Sequence, residues 1–531
     1  MSQAVKTITP SAPQLDLRRP AIMNFLPALL PIVGAILMLM ARRQMGYGNF
    51  IEDGALLVIA LLCYIFAAAM HLTDLFAPIQ GLPKVALWTA SLGFFLNLSS
   101  WLVRWMNMGD KENWTRMTDH EGVYHAWWFF SYIPLANLYD LSIGFAFGAA
   151  FTMLLIEHRP NTRFVGAVAL PLICLVLILA IFIGSEIGHL QPVLDSYWRP
   201  IHVGDAMISY GIALVSFAIA VMYLLKDGVK PESMGIFTSL FTLANFLLFS
   251  KAFHFSTLDF RLTPMRPVEG GLAGVSPLRV TLPGVGPMVA LSMLLLTIVT
   301  ICFLLYSLKQ NEQAKRFGHL ALKASLVTQA VGLGVLFYQI KAVKNVGSLI
   351  GSDQLYEFGK RLAGNDAATM PAEQLIQGAN SWLQQSGGSF VLSMKSNPVE
   401  LAALVTAFVL SLFIVLFSFN PERLRAGLPS LEKLDSLTYK TVGAAFAGIA
   451  ILLVTGAIWA NESWGKYWGW DPKETGALVA WLAYAAYLHT RIAHGWSGRR
   501  SAYFALLGFL LVIFTFLGVS YLLPGMHAYA E

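Results

Sequence analysis

Apolar residues in this chain are gathered into runs of about twenty, separated by shorter polar stretches. A helix rises about 1.5 Å per residue, so each run is long enough to cross about 30 Å of hydrocarbon. The pattern predicts spans near residues 23–41, 54–73, 86–105, 138–157, 164–186, 202–225, 234–251, 286–308, 320–340, 399–419, 438–459, 475–492 and 502–523. The run at 234–251 is the weakest of them. The expected fold is an all-α integral membrane protein, a polytopic bundle of about 13 transmembrane helices.

Composition excludes a water-soluble reading. Of 531 residues, 56% are hydrophobic and 12% charged, about half the charged fraction of an ordinary soluble domain. Cationic residues then set a topology, because Lys and Arg accumulate in cytoplasmic loops. Arg159 and Arg163, Lys226 and Lys230, Lys315 and Arg316, Arg423 and Arg425, and Arg499 and Arg500 fall in alternate loops. This places the N-terminus inside and the C-terminus outside, with the span at 234–251 needed to keep the later loops in phase. Arg42 and Arg43 fall on the wrong side of that map. The polar stretch before Met23 lacks the short apolar core and small-residue cleavage site of a signal peptide, so the first span is expected to be retained.

Cys63, Cys174 and Cys302 lie inside apolar runs without CxxC spacing, which argues against a disulfide framework or a thiolate metal site. Two polar stretches, about 257–287 and 341–398, are expected to face outward. Within the second, residues 354–362 and 372–383 suit short surface helices, with Gly387-Gly388 as a break. No internal repeat or phosphate-binding glycine loop is present, and neither direct use of ATP nor nucleic-acid binding is expected.

The chemistry is concentrated near the C-terminus. Trp459, Trp464, Tyr467, Trp468 and Trp470 fall within twelve residues, together with Gly465, Gly469 and Asp471. An interfacial aromatic belt is the plain alternative. A flat hydrophobic ligand accounts better for so many rings beside glycines, because ring faces stack on a macrocycle and glycine lets the backbone come close. His202 opens one span at its outer end and His527 follows the last span, so both sit at the depth of this loop and could ligate one iron. His489, fifteen residues beyond Glu474, lies about 22 Å deeper on a continuous helix. An ionisable residue at that depth is costly unless paired or functional. His71, near the inner end of its span, has comparable depth.

These residues carry a resemblance. The stretch 464–474 (WGKYWGWDPKE) resembles the tryptophan-rich signature of the CcsA/ResC proteins of the WWD haem-handling superfamily. Residues 482–491 (LAYAAYLHTR) resemble the family's helix with a transmembrane histidine, and 525–529 (GMHAY) its C-terminal outer histidine. Upstream, 194–203 (LDSYWRPIHV) resembles the other outer histidine motif and 136–140 (ANLYD) an N-terminal hallmark. The likeness divides the chain into an N-terminal extension at 1–85, a CcsA-like part at 86–228, an additional central block at 229–427 and a CcsA-like part at 428–531.

The resemblance implies a subunit of a system II cytochrome c synthase in the bacterial inner membrane, its active site facing the periplasm. Such a protein presents haem b and joins it to the thiols of a CxxCH motif in apocytochromes c. His202 and His527 are then outer axial ligands of haem iron, Trp464, Trp468, Trp470 and Asp471 form the outer platform, and His489 ligates a transmembrane haem. A CcsB/ResB-type partner is expected to supply the second deep ligand, with His71 as the alternative in cis. Thiol-reducing proteins are further expected partners. The chain itself has no CxxCH. Competing readings are a superfamily member that loads a haem chaperone and a respiratory subunit with permanent bis-histidine haem. A solute transporter would show inverted repeats, which are absent from the sequence.

Overall fold

The computed structural model describes residues 21–119, 121–158, 162–184, 192–268, 271–386 and 389–526. In chain order its α-helices are α1 (Leu26–Met45), α2 (Asp53–Phe76), α3 (Leu82–Lys111), α4 (Leu138–Ile156), α5 (Gly166–Ile183), α6 (Trp198–Lys226), α7 (Pro231–Phe249), α8 (Val285–Lys309) and α9 (Glu312–Gln339). There follow α10 (Ser352–Ala363), α11 (Ala372–Gln385), α12 (Pro398–Phe419), α13 (Pro421–Gly427), α14 (Leu431–Trp464), α15 (Pro472–His494), α16 (Arg499–Ile513) and α17 (Val519–Leu522). A π-helical turn, Phe514–Gly518, joins the last two into one continuous rod.

Eleven of these helices are long and apolar enough to cross a membrane, so the protein is an all-α, multi-pass membrane protein. The other two expected spans are formed as helices α7 and α15; Lys473, Glu474, His489 and Arg491 make α15 the more polar of the two.

At the centre, α6 packs against α4, α5, α14 and α16. Glycines permit its close crossing with α4: a Cβ on Gly148 would stand 2.6 Å from the Met207 carbonyl oxygen, and one on Gly211 would stand 2.4 Å from the Ala149 nitrogen. Without a strong hydrophobic drive between helices in lipid, such small-residue seams let dispersion contacts do the joining. The start of α4 is fixed by Asn137, whose side chain accepts from the Asp140 N–H at 2.9 Å, an N-cap.

A buried polar chain links the first four helices. The Arg42 guanidinium donates to Asp110 at 2.6 Å and Asn107 at 2.8 Å, and Asn107 donates to Asp53 at 3.1 Å. Arg104 in turn reaches Asp53 at 3.4 Å and Asp140 at 2.5 Å. This explains one of the two misplaced cations in the charge map: Arg42 is only 2% exposed and is neutralised inside the bundle, so it does not report loop orientation, whereas Arg43 is exposed. The tyrosine-aspartate of the ANLYD motif is likewise structural, since Tyr139 covers the Arg104 guanidinium at 4.6 Å.

In the central block α7, α8, α9 and α12 form a four-helix group joined to α5 through α12. The two polar segments fold together above it. Strands β1 (Phe253–His254), β2 (Asp259–Leu262) and β5 (Val280–Thr281) make one small sheet, in the order β1-β2-β5. A second, β4-β3-β7-β6, brings β3 (Met265–Val268) and β4 (Gly271–Gly274) beside β6 (Ala342–Val343) and β7 (Phe390–Val391). Helices α10 and α11 form where the amphipathic pattern predicted them; Gly387-Gly388 lies outside the described residues. Glu400 ties α12 to this cap by accepting from the Lys251 and Ala252 amides at 2.6 and 3.0 Å.

Candidate functional site

A cleft opens where the N-terminal ends of α4, α6 and α15 meet the C-terminal part of α14 and the π-helical turn. Its walls include Phe145, His202, Tyr210, Gly456, Trp459, Tyr467, Trp468, Lys473, Glu474 and Phe516. Counted to its open mouth and including open solvent, the empty space is ≈ 1040 Å³. The π turn contributes both Thr515 and Phe516 to the wall; such turns recur at functional sites.

His202 is held in this cleft by α14. Its Nδ1 lies 3.0 Å from the Leu452 carbonyl oxygen and 3.4 Å from Thr455 Oγ1. The Thr455 hydroxyl donates back along its own helix to Ile451, and a carbonyl can only accept, so Nδ1 is the donor to Leu452. Such a carbonyl partner fixes a histidine's ring orientation. The ring packs at 5.6 Å from Trp459, and Trp459 at 6.1 Å from Trp464. Gly456 gives the imidazole its room, because a Cβ there would stand 2.7 Å from His202 Cε1.

The tryptophan loop is rigidified from within. Asp471 is the N-cap of α15 and forms a reciprocal capping box with Glu474. Glu474 Oε2 accepts from the Gly469 and Asp471 amides at 2.8 and 3.2 Å, and Asp471 accepts from Lys473 N–H at 3.2 Å and Met526 N–H at 2.6 Å. Asp471, 5% exposed, therefore staples the C-terminal segment to the loop and is not itself a surface of the cleft. Glu474 Oε1 is buried without a hydrogen-bond partner. Across the loop, Ser196 donates to Glu462 at 2.5 Å, anchoring the segment before α6 to the end of α14.

The expected residues divide accordingly. His202 and Trp468 share the cleft; Trp464 adjoins it through Trp459. Trp470, with φ +56° and 71% exposure, stands edge-on to Trp468 at 5.8 Å. His527 lies outside the described residues, one position after Met526, whose amide is fixed on Asp471. His489 is exposed on α15, 5.7 Å from the His494 ring. His71 is instead buried on α2, with Nε2 3.6 Å from Glu157 and its ring against Gly166, and shares no environment with His489. Sequence reasoning missed the Leu452 carbonyl, Gly456 and the π turn. Only the Asp471-to-Glu474 capping spacing gave a local signal for the loop's architecture.

Comparison with known proteins places these elements among relatives. The family described as cytochrome C assembly protein matches residues 135–267 and 390–527, just over half of the chain. Proteins named "Cytochrome c biogenesis protein CcsA" align with it: one from Chlamydomonas reinhardtii is 33% identical over 267 residues, covering 49% of this chain and 72% of the relative. One from Guillardia theta is 50% identical over 113 residues, 21% of this chain and 38% of the relative. Another from Synechococcus sp. (strain CC9605) is 51% identical over 102 residues, 19% and 34% respectively. The chain thus spans little more than a third of the length of these last two relatives.

Proposed function

The chain belongs to the cytochrome c assembly protein family, and on that premise we propose that it presents haem b at the outer face of a bacterial inner membrane for covalent attachment to apocytochromes c. The observation that carries the reading is His202, its Nδ1 held by the Leu452 carbonyl, inside an apolar cleft walled by Trp459, Tyr467 and Trp468. Its donor and its rings suit an iron macrocycle held edge-on to solvent. His527, which lies outside the described residues, is the second axial ligand of this reading.

The chemistry asked of the protein is modest. Each thiol of a CxxCH segment adds its S–H across a haem vinyl group, so sulfur bonds to one vinyl carbon and the proton goes to the other, with no net change in oxidation state. Holding the macrocycle and excluding competing geometries is the protein's contribution. The exposed position of His489 favours a deep haem shared with a second chain of the CcsB/ResB type over ligation in cis by the buried His71.

The test is the reduced absorption spectrum of the purified protein, with and without such a partner, for wild type and for His202→Ala, His489→Ala and His527→Ala. Copurifying haem whose spectrum or yield responds to each histidine supports the reading. Haem-free protein under both conditions refutes it.

A further inference from the structure

The four-helix group of the central block, α7, α8, α9 and α12, contains a buried polar knot. Gln329 on α9 is only 5% exposed. Its Nε2 donates to Ser292 Oγ of α8 at 3.0 Å and to Ser325 Oγ of its own helix at 3.1 Å, and the two hydroxyls lie 3.3 Å apart. Both amide hydrogens are thereby used, while the carbonyl oxygen Oε1 is buried without a hydrogen-bond partner in the protein. Turning the amide over would leave its N–H groups in that position and only change the deficit from acceptor to donor. Beside the knot lies a small cavity whose wall takes residues from all four helices, among them Thr242, Ser292, Met293, Thr328, Gln329 and Leu404. It gives the centre of a water molecule ≈ 20 Å³ to occupy, and about 10–15 Å³ is enough for one. The Thr328 hydroxyl donates to the Ala324 carbonyl at 2.9 Å and keeps its lone pairs for a further donor.

We infer that this cavity binds one water molecule, which donates to Gln329 Oε1 and bridges it to the hydroxyls of the wall. The inference stands apart from the haem reading. Water suits the site because it both donates and accepts, so it satisfies the amide in either orientation. The space is too small for an organic ligand, and among the described residues no charged side chain stands in the wall to hold an ion. Cavities of this size stay dry when their lining is apolar; here the amide and the hydroxyls decide for occupancy. In hydrocarbon there is no bulk water to meet a stray acceptor and little hydrophobic drive between helices. A bound water with partners on neighbouring helices therefore serves as a joint that fixes α9 within the central block.

The experiment is X-ray hydroxyl-radical footprinting of the full chain in detergent, read by mass spectrometry. A brief pulse splits a bound water into radicals that oxidise the side chains touching it, buried ones included. Met293 in the cavity wall is the reporter; Met222, fully buried on α6, sets the dry baseline, and Met370, 37% exposed on the outer cap, controls for dose. In wild type, Met293 should be oxidised well above Met222. Gln329→Leu, and Gln329→Met as an unbranched replacement, should bring Met293 down to the Met222 level with Met370 unchanged. Wild-type oxidation of Met293 no greater than that of Met222 overturns the inference, because the cavity is then dry. Oxidation that persists in both variants overturns it too, because the radicals then come from solvent reaching Met293 by another route.

Discussion

Gly456→Ala should separate the stability of this protein from its ligand chemistry. The added Cβ would stand 2.7 Å from His202 Cε1 and 3.0 Å from Nδ1. Restoring ordinary contact requires the imidazole to retreat by about 0.7 Å, and the backbone of α14 cannot give way because it is the seam with α6. The retreat lengthens the 3.0 Å bond to the Leu452 carbonyl, releasing the ring orientation. Loss of such an orienting partner costs about 10–100-fold in metal affinity. Alanine is meanwhile the better helix former by roughly 0.8–1.0 kcal/mol, so the fold should hold. Gly443→Ala on the same helix is the control, since nothing lies within 4 Å of its Cβ position. The assay is haem yield and reduced spectrum, read beside thermal unfolding in one detergent. Both variants should melt at or slightly above the wild-type temperature, and only Gly456→Ala should lose outer haem. A wild-type spectrum for Gly456→Ala would refute the claim that the Leu452 bond positions His202.

Other substitutions test the supporting structure. Asp471→Ala removes the N-cap of α15 and the acceptor of Met526 N–H; it should cost about 1 kcal/mol or more, lower the melting temperature and speed proteolysis of the C-terminal segment. Arg104→Ala strands Asp140 and Asp53 inside the bundle and should destabilise by about 3–5 kcal/mol, while the Arg104→Ala, Asp140→Ala double variant should fall well short of the summed losses in thermal unfolding. Glu400→Ala leaves the Lys251 and Ala252 amides without their acceptor, and limited proteolysis should then cut the cap at 250–287 faster than the membrane helices. His489→Ala should remove the deep haem signal of the partnered protein, whereas His71→Ala should leave that spectrum unchanged; loss in both variants would restore ligation in cis.

Much of the architecture could be read from the chain because the bilayer imposes it. Twenty-residue apolar runs must become helices, since no other open structure satisfies backbone hydrogen bonds in hydrocarbon, and the amphipathic stretches that became α10 and α11 declared themselves by local period. The loop's importance was equally legible, because four tryptophans beside two glycines are a local statement. Where the reading strayed, the cause was pairing at a distance. Arg42 looked like a topology signal until Asp110 and Asn107 were found around it, 68 and 65 residues away.

The sequence by itself determined that this is a multi-pass helical membrane protein of the cytochrome c assembly family, with His202 and the tryptophan loop as the residues to watch. Tertiary structure decided what holds them. A carbonyl on α14 orients a histidine on α6, 250 residues apart, and Gly456 makes room for the ring. Asp471, which reads as part of the ligand platform, is instead the staple between loop and C-terminus. Histidines of similar expected depth part company, His71 into the core and His489 onto the exposed face of α15. Such roles depend on which helix faces lie against one another, and that is fixed by packing between segments remote in the chain, which no local pattern encodes.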